Sequence, residues 1–338
     1  MKAFKTETRE DIVKLLKLSD EREIGELFAY ADAVRKKEVG DEVHLRAIIE
    51  FSNNCVNDCL YCGLRKSRKG IRRYRMSGDE ILSSVDNAVS LGYKTVVLQS
   101  GDDLSYGADD ICRLIEKIKQ DFKIAVTLSC GERPYDEYKR MRSSGADRYL
   151  LKHETADKEL YTKLHPGQSF EQRLTILEWL KELGYQTGSG SMVGLPGQTA
   201  DNIAEDILLF KKMDIDMIGV GPFIAHEATP LAGSPGGTAE MVLKTLALTR
   251  IVTKNTHIPA TTALGTIDPM GRQKALKCGA NVIMPNLTPQ KYRRDYEIYP
   301  GKICVSETPD DCYNCVNNMV VAAGRSVAAG LGHRVIKK

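Results

Sequence analysis

Nothing in the chain approaches the roughly 18 consecutive apolar residues that a membrane-spanning helix needs, so a transmembrane helix is excluded. The opening residues MKAFKTETRED lack the apolar core of a signal peptide, and a cytoplasmic location is expected. Charge of one sign is scarce as well. The 48 Lys and Arg against 45 Asp and Glu leave a net +3, too little to imply nucleic acid by itself. No short repeat occurs, and no stretch is biased enough to be a disordered linker. The 6 histidines form no close ligand pattern; His153 and His226 are expected to be structural. The glycines of GSMVGLPGQT lack the Lys-Ser/Thr ending of a phosphate loop. Cysteine is what the chain does have. Nine cysteines, an odd count in a reducing compartment, argue against a disulfide framework and for metal binding or catalysis.

The 338 residues are 42% hydrophobic and 28% charged, ordinary for a globular protein. Ile24, Leu27, Phe28, Ala31 and Val34 recur at helical spacing after Asp20, with Glu23 completing a capping box and Gly40 as the stop. From there, short apolar runs alternate with longer helical stretches. The runs fall at 44–51, 94–99, 123–128, 147–151, 185–193, 215–223, 258–263 and 280–284. Gly92, Gly145, Gly184 and Gly279 follow helical segments and precede the next run, as helices do when they turn back onto a parallel sheet. Eight such units predict an α/β fold, a (β/α)8 TIM barrel. An open doubly wound sheet is the alternative, because periodicity cannot say whether a sheet closes. The expected division is an N-terminal helical extension at 1–42, a barrel at 43–290 and a cysteine-bearing C-terminal extension at 291–338. The last thirty or so residues read as a helix and a loose tail.

Cys55, Cys59 and Cys62 stand directly after the first apolar run, with spacing C-x3-C-x2-C. In a parallel barrel that is where catalytic groups sit. Four thiolates would close an iron–sulfur or zinc site, whereas three leave one metal position open for chemistry. A structural zinc with a distant fourth ligand is the plainer alternative. Residues 65–75 carry Arg65, Lys66, Arg68, Lys69, Arg72, Arg73 and Arg75. Without an interleaved stacking platform they read as a solvated stretch, or as counter-charge for an anionic cluster and an electron donor. Cys112, Cys130 and Cys278 read as small buried hydrophobes.

The cysteine spacing with Tyr61 before the third cysteine resembles the radical S-adenosylmethionine superfamily. Further segments, among them DRYLLKHETA, IPATTALGT, GANVIMPNLTP and YPGKICV, resemble within it the HydE family of FeFe-hydrogenase maturases, from about residue 40 to 316. The resemblance implies a 4Fe-4S cluster on Cys55, Cys59 and Cys62, and S-adenosyl-L-methionine bound by its open iron. It also implies cofactor contacts from Tyr61, Gln99, Ser100, Gly101, Thr127, Ser129 and Met192. Glu154 is implied at the ribose or methionine end, and Arg173 at the carboxylate. Met217, Thr261, Thr262 and Tyr296 would face the substrate, with Tyr299 a weaker expectation. Lys152, on the same side, stands where that family usually has Arg, which keeps a cation but loses the bidentate fork.

Cys304, Cys312 and Cys315, spaced C-x7-C-x2-C, match a trio that holds a second iron–sulfur cluster (2Fe-2S or 4Fe-4S) in many members of that family. Zinc with Asp310, Asp311 or His333 is the alternative there. The implied substrate is an iron complex carrying cysteine, carbon monoxide and cyanide. HydG would deliver it, HydF would receive the product, a reductant would supply electrons, and the chain would act as a monomer. Methylornithine synthase and biotin synthase are the alternatives inside the superfamily. An iron–sulfur carrier or RNA-binding metalloprotein is the alternative outside it.

Overall fold

The structure is a computed structural model that describes residues 3–335. Its strands are β1 (Glu42–Leu45), β2 (Ala47–Ser52), β3 (Thr95–Ser100), β4 (Ala125–Ser129), β5 (Arg148–Leu150), β6 (Gln186–Val193), β7 (Met217–Pro222), β8 (Val282–Ile283) and β9 (Ser326–Val327). Strands β2 to β7 form one parallel sheet in sequence order, and β1 lies between β8 and β9 in a second. Six of the eight predicted runs coincide with single strands, β3 to β8. The run at 44–51 is split by Arg46 into β1 and β2.

The seventh predicted run, 258–263, is not a regular strand. Single bridges join His257 to Met217 of β7 and Pro259 to Val282 of β8. Pro259 has no N–H to give a ladder, and Thr261 already caps the short helix Thr262–Ile267. Even so, the sheet closes. Ile218 donates to the His257 carbonyl at 2.9 Å and Ala260 to that of Val282 at 2.9 Å. Ile48 donates to that of Pro285 at 2.8 Å. The result is a barrel with eight staves, of which the seventh is held by isolated bonds.

The helices are placed by local signals. Asp20 accepts from the Glu23 amide and starts the helix Glu21–Val39, which ends at Gly40 with φ 76°. Its buried face, Ile24, Leu27 and Ala31, packs on the helix Ala239–Thr253. Gly92, Gly145, Gly184 and Gly279 all have positive φ (87°, 111°, 79° and 126°), a region open to glycine and costly to other residues. The helix Lys158–Leu164, capped by Asp157, is not among the segments expected from the sequence.

The C-terminal segment corrects the expectation of a loose tail. After the helix Pro309–Ala322, β9 pairs with β1, and the chain then crosses the N-terminal end of the barrel. Arg325 donates to the carbonyls of Asp41, Glu42, Leu276 and Ala280. The Leu331 carbonyl accepts from Thr95 Oγ1 at 3.0 Å and Arg148 Nη2 at 2.6 Å. Arg334 binds Asp214, Asp216 and Asn255. Small and basic residues look like tail composition, but here Arg325 satisfies backbone carbonyls that barrel closure buries, and Arg334 pairs with carboxylates at the same end.

Replacing Arg325 with Ala removes those charge-assisted bonds and should lower unfolding stability by about 2–4 kcal/mol. Urea denaturation checks this. A midpoint equal to that of the unaltered chain would show that the segment lies on the barrel without stabilising it.

Candidate active site

At the C-terminal mouth of the barrel a single cavity of about 410 Å3 is lined by residues from every part of the ring. The register explains which side chains enter it. Glu50, Gln99 and Ser129 are partners across β2, β3 and β4, and Ile48, Val97 and Thr127 form the row beneath. Residues paired in a parallel sheet point to the same face, so both rows face inward. All six line the cavity.

Cys55, Cys59 and Cys62 also line it, on the loop that leaves β2. Asn53 fixes the base of that loop by donating to the carbonyls of Arg72 (2.8 Å) and Asp295 (2.7 Å). Asn57 donates to Asp102 at 2.5 Å, and the Val56 amide to the Asp102 carbonyl at 3.0 Å. Gly101 is required by contact, since a Cβ there would lie 2.3 Å from the Asn54 carbonyl oxygen. Two of the thiols receive hydrogen bonds: the Leu64 amide serves Cys62 at 3.4 Å, and the Gln168 amide serves Cys59 at 3.3 Å. Burial raises the thiol pKa at all three, that of Cys59 to about 12. Free, they are therefore neutral at pH 7; coordination to a metal is what makes such groups thiolates.

The remaining residues fall into place around them. Thr127 is 2% exposed, and its hydroxyl has no protein partner although it lines the cavity. Tyr61 and Met192 pack with Leu164, Leu195 and Phe223 in a small apolar shelf. The Tyr61 hydroxyl bonds His165 Nε2 at 2.9 Å, and burial lowers the His165 pKa to about 4, so this imidazole is neutral. The Ser100 hydroxyl donates to the Gly101 carbonyl at 2.6 Å. Glu154 has φ 65°, a left-handed conformation that is strained for a side chain with a Cβ. Two bonds to β6 hold it there, Glu154 N to Gly190 O and Met192 N to Glu154 O, each 2.9 Å. Its carboxylate lies 2.8 Å from Lys152 Nζ. Arg173 binds Glu132 at 2.6 Å, the Lys152 carbonyl at 2.5 Å and Gln168 at 2.7 Å. These three bonds leave two of its five N–H groups unused.

On the other side, Met217 Sδ accepts from Arg46 at 2.7 Å. Thr261 accepts from the Leu264 amide at 3.3 Å as a helix cap, and Thr262 opens that helix, so neither ends a strand. Tyr296 and Tyr299 line the cavity beside Gln99. Sequence reasoning missed Glu50 and Lys302, a buried ion pair on the cavity wall. A Glu inside the first apolar run was the available signal.

The donor set suits an iron–sulfur cluster better than a single ion. A zinc ion needs its sulfur donors about 2.3 Å away on all sides. Among the described residues, no three His, Cys, Asp or Glu side chains converge closely enough to hold one ion. Three half-buried thiols on one loop, two of them with hydrogen-bond donors, and an unpartnered hydroxyl in the adjoining cavity fit a larger cluster with a polar ligand beside it.

Cys304, Cys312 and Cys315 are less tightly gathered. Cys304 has φ 64°, Cys312 is buried and Cys315 is exposed. Neighbouring Cys312 and Arg272 lower the Cys304 pKa. The alternative fourth ligands for zinc are engaged elsewhere in two cases: Asp311 in the capping box of Thr308, and His333 with Arg148 at the far end of the barrel. Cys112, Cys130 and Cys278 are buried. His153 bonds Ser189 and Asp206, and His226 bonds Glu297. The basic run is largely spent internally. Arg65 pairs with Asp58, Arg68 with Glu297, Arg72 with Asp295 and Arg75 with Asp103.

Comparison with known proteins agrees with this geometry. The sequence profile of the Radical SAM superfamily matches residues 49–210. The [FeFe] hydrogenase maturase subunit HydE of Thermotoga maritima is 53% identical over 97% of this chain and 94% of that protein. The 3-methylornithine synthase of Methanosarcina acetivorans is 31% identical over 81% of this chain and 78% of its own. The crystal structure of methylornithine synthase (PylB) superposes with a TM-score of 0.84 at 26% identity, covering 95% of this chain and 94% of that one. This chain therefore belongs to the radical S-adenosylmethionine superfamily and, within it, to the HydE family, as a radical enzyme of the kind that uses a 4Fe-4S cluster and S-adenosylmethionine.

Proposed function

We propose that this enzyme acts in assembly of the active-site cluster of FeFe-hydrogenase, on a cysteine-bound Fe(CO)2(CN) precursor. The observation that carries the reading is the meeting of Cys55, Cys59 and Cys62 with Thr127, Glu154 and Arg173 in one cavity at the barrel mouth, in a chain 53% identical to a HydE. The chemistry supplied when cluster and S-adenosylmethionine are bound is one-electron reductive cleavage of the sulfonium, giving a 5′-deoxyadenosyl radical. The protein's part is to hold, orient and exclude.

Cys55, Cys59 and Cys62 hold the cluster, and Tyr61 and Met192 offer an apolar face to the adenine. Thr127, Ser129 and Glu154 take the polar atoms of the cofactor, and Arg173 turns its free N–H groups to the carboxylate. Gln99, Ser100 and Gly101 form the strand end beside its amino group. Lys152, Met217, Thr261, Thr262 and Tyr296 face the substrate, whose carboxylate and cyanide accept hydrogen bonds. Barrel walls keep water from the radical and from labile ligands. Cys304, Cys312 and Cys315 hold a second cluster that the chemistry does not need. HydG supplies the precursor and HydF takes the product, with the enzyme a monomer in the reducing cytosol.

Anaerobic reconstitution with iron and sulfide, followed by dithionite and S-adenosylmethionine, should yield 5′-deoxyadenosine. No cleavage by a cluster-loaded sample would overturn the reading. The Cys59→Ala variant should fall to background, while Cys312→Ala should keep its cleavage rate within about twofold, since 0.4 kcal/mol is the scale of a remote change. Loss of cleavage in the latter would make the second trio part of the chemistry.

Glu154→Gln removes one charge-assisted contact and should raise the KM for S-adenosylmethionine about tenfold, the equivalent of ~1.4 kcal/mol. Its cluster absorbance should be unchanged. An unaltered KM would place the Glu154 carboxylate away from the cofactor.

A further inference from the structure

The three thiols of the first trio differ in what donates to them. Cys62 is served by a backbone amide, that of Leu64, which holds whatever the side chains nearby do. Cys59 is served by a side chain, the Gln168 amide, with Nε2 3.3 Å from Sγ. Gln168 sits in the turn between the helices Lys158–Leu164 and Phe170–Glu182, its own amide bonded to the His165 carbonyl.

The direction of the Gln168 amide is set by its other end. Arg173 Nη2 donates to Gln168 Oε1 at 2.7 Å. A guanidinium has only donors, so the oxygen must face Arg173 and the NH2 must face the sulfur; reversal would set donor against donor. Arg173 is itself 7% exposed and held by Glu132 and the Lys152 carbonyl. The chain of contacts Glu132–Arg173–Gln168–Cys59 thus runs from the wall of the cavity to a ligand of the cluster.

We infer that Gln168 is a positioning residue that tunes the reduction potential of the radical-generating cluster through an N–H···S bond to Cys59, with Arg173 setting its orientation. The inference rests on the cluster reading of Cys55, Cys59 and Cys62. Hydrogen bonds to cluster sulfurs stabilise the more negative, reduced state and raise the potential. The same Arg173 borders the space assigned to the cofactor carboxylate, so binding there acts on the donor that Cys59 receives.

The test is a redox titration of the reconstituted protein followed by electron paramagnetic resonance, without S-adenosylmethionine. Cys312 is replaced by Ala throughout, so that one cluster is read. Gln168→Met keeps the length of the side chain and removes the donor. The expected result is a more negative midpoint and a reduced-to-oxidised ratio about tenfold lower at fixed potential, 59 mV for one electron. Gln168→Glu, which pairs with Arg173 and offers no N–H, should shift the same way. Arg173→Met, which frees the amide to turn and removes a buried positive charge, should shift the same way. Pulsed double resonance in D2O should lose one exchangeable proton coupling in Gln168→Met.

Midpoints unchanged in both Gln168 variants, with the coupling retained, would overturn the inference while leaving the cluster reading intact. If Gln168→Met fails to load a cluster, Gln168→Glu and the proton coupling of the parent protein decide. A parent that loads no low-potential cluster on the first trio would instead overturn the reading beneath it.

Discussion

The structure depends on closing a parallel sheet. Strands β2 and β7 would otherwise be free edges, with backbone N–H and C=O groups facing nothing. The segments around His257–Ala260 and Asn281–Leu287 satisfy those edges through single bonds rather than a continuous ladder. Once closed, the barrel forces alternate residues of each strand inward, and the polar ones meet at the mouth. Its other end cannot stay open either, because the carbonyls of short strands and turns are buried there. The arginines of the C-terminal segment, Arg325 and Arg334, cap that end. Closure thus explains both the cavity and the course of the last residues.

Charges buried by closure are paired across elements far apart in sequence. Lys302 meets Glu50, and Asn286 donates to the same carboxylate at 3.2 Å. Arg173 meets Glu132, and Lys152 meets Glu154. Such pairs add little net stability, because desolvation offsets most of the attraction. They do fix geometry. Lys302 ties the segment bearing Tyr296 and Tyr299 to β2, and its ammonium lies 5.0 Å from the centre of the Tyr296 ring. The Lys152–Glu154 pair is made by a single ammonium. That group reaches Glu154 without demanding the planar fork an Arg would present.

The parts legible in the sequence were those decided locally. Strands β3 to β8 follow from apolar runs, and the helix start at Asp20 and the glycine stops follow from cap chemistry. The trio Cys55, Cys59 and Cys62 is local too, because one loop carries it. What escaped was decided by distant partners. The run 258–263 has strand composition, but Pro259 and the cap at Thr261 break it up. The basic run at 65–75 resembles an exposed patch until Asp58, Asp103, Asp295 and Glu297 arrive from other segments. Glu50 could not be called buried without Lys302, 252 positions away. Gln168 gave no signal at all, since a glutamine in a turn is ordinary until its two ends are seen to meet an arginine and a thiol.

The barrel divides into a regular part and an irregular part, and the division bears on specificity. The superfamily match, 49–210, spans β2 to β6 and the loop of the first trio. Cys55, Cys59, Cys62, Thr127, Glu154, Arg173 and Met192 all fall inside it. Met217, Thr261, Thr262 and Tyr296 fall outside, on β7 and on the seam segments that close the ring. The crystal structure of methylornithine synthase superposes on this chain at a TM-score of 0.84, so the shape of the barrel does not separate these enzymes. Under the proposed assignment, discrimination between substrates falls to side chains on the closing segments, where few ladder bonds constrain the backbone and sequence can change without loss of the sheet. Lys152 is the exception. It lies inside the matched region, on the segment that carries Glu154, and its ion pair with Glu154 would, under the same assignment, join the cofactor side of the cavity to the substrate side.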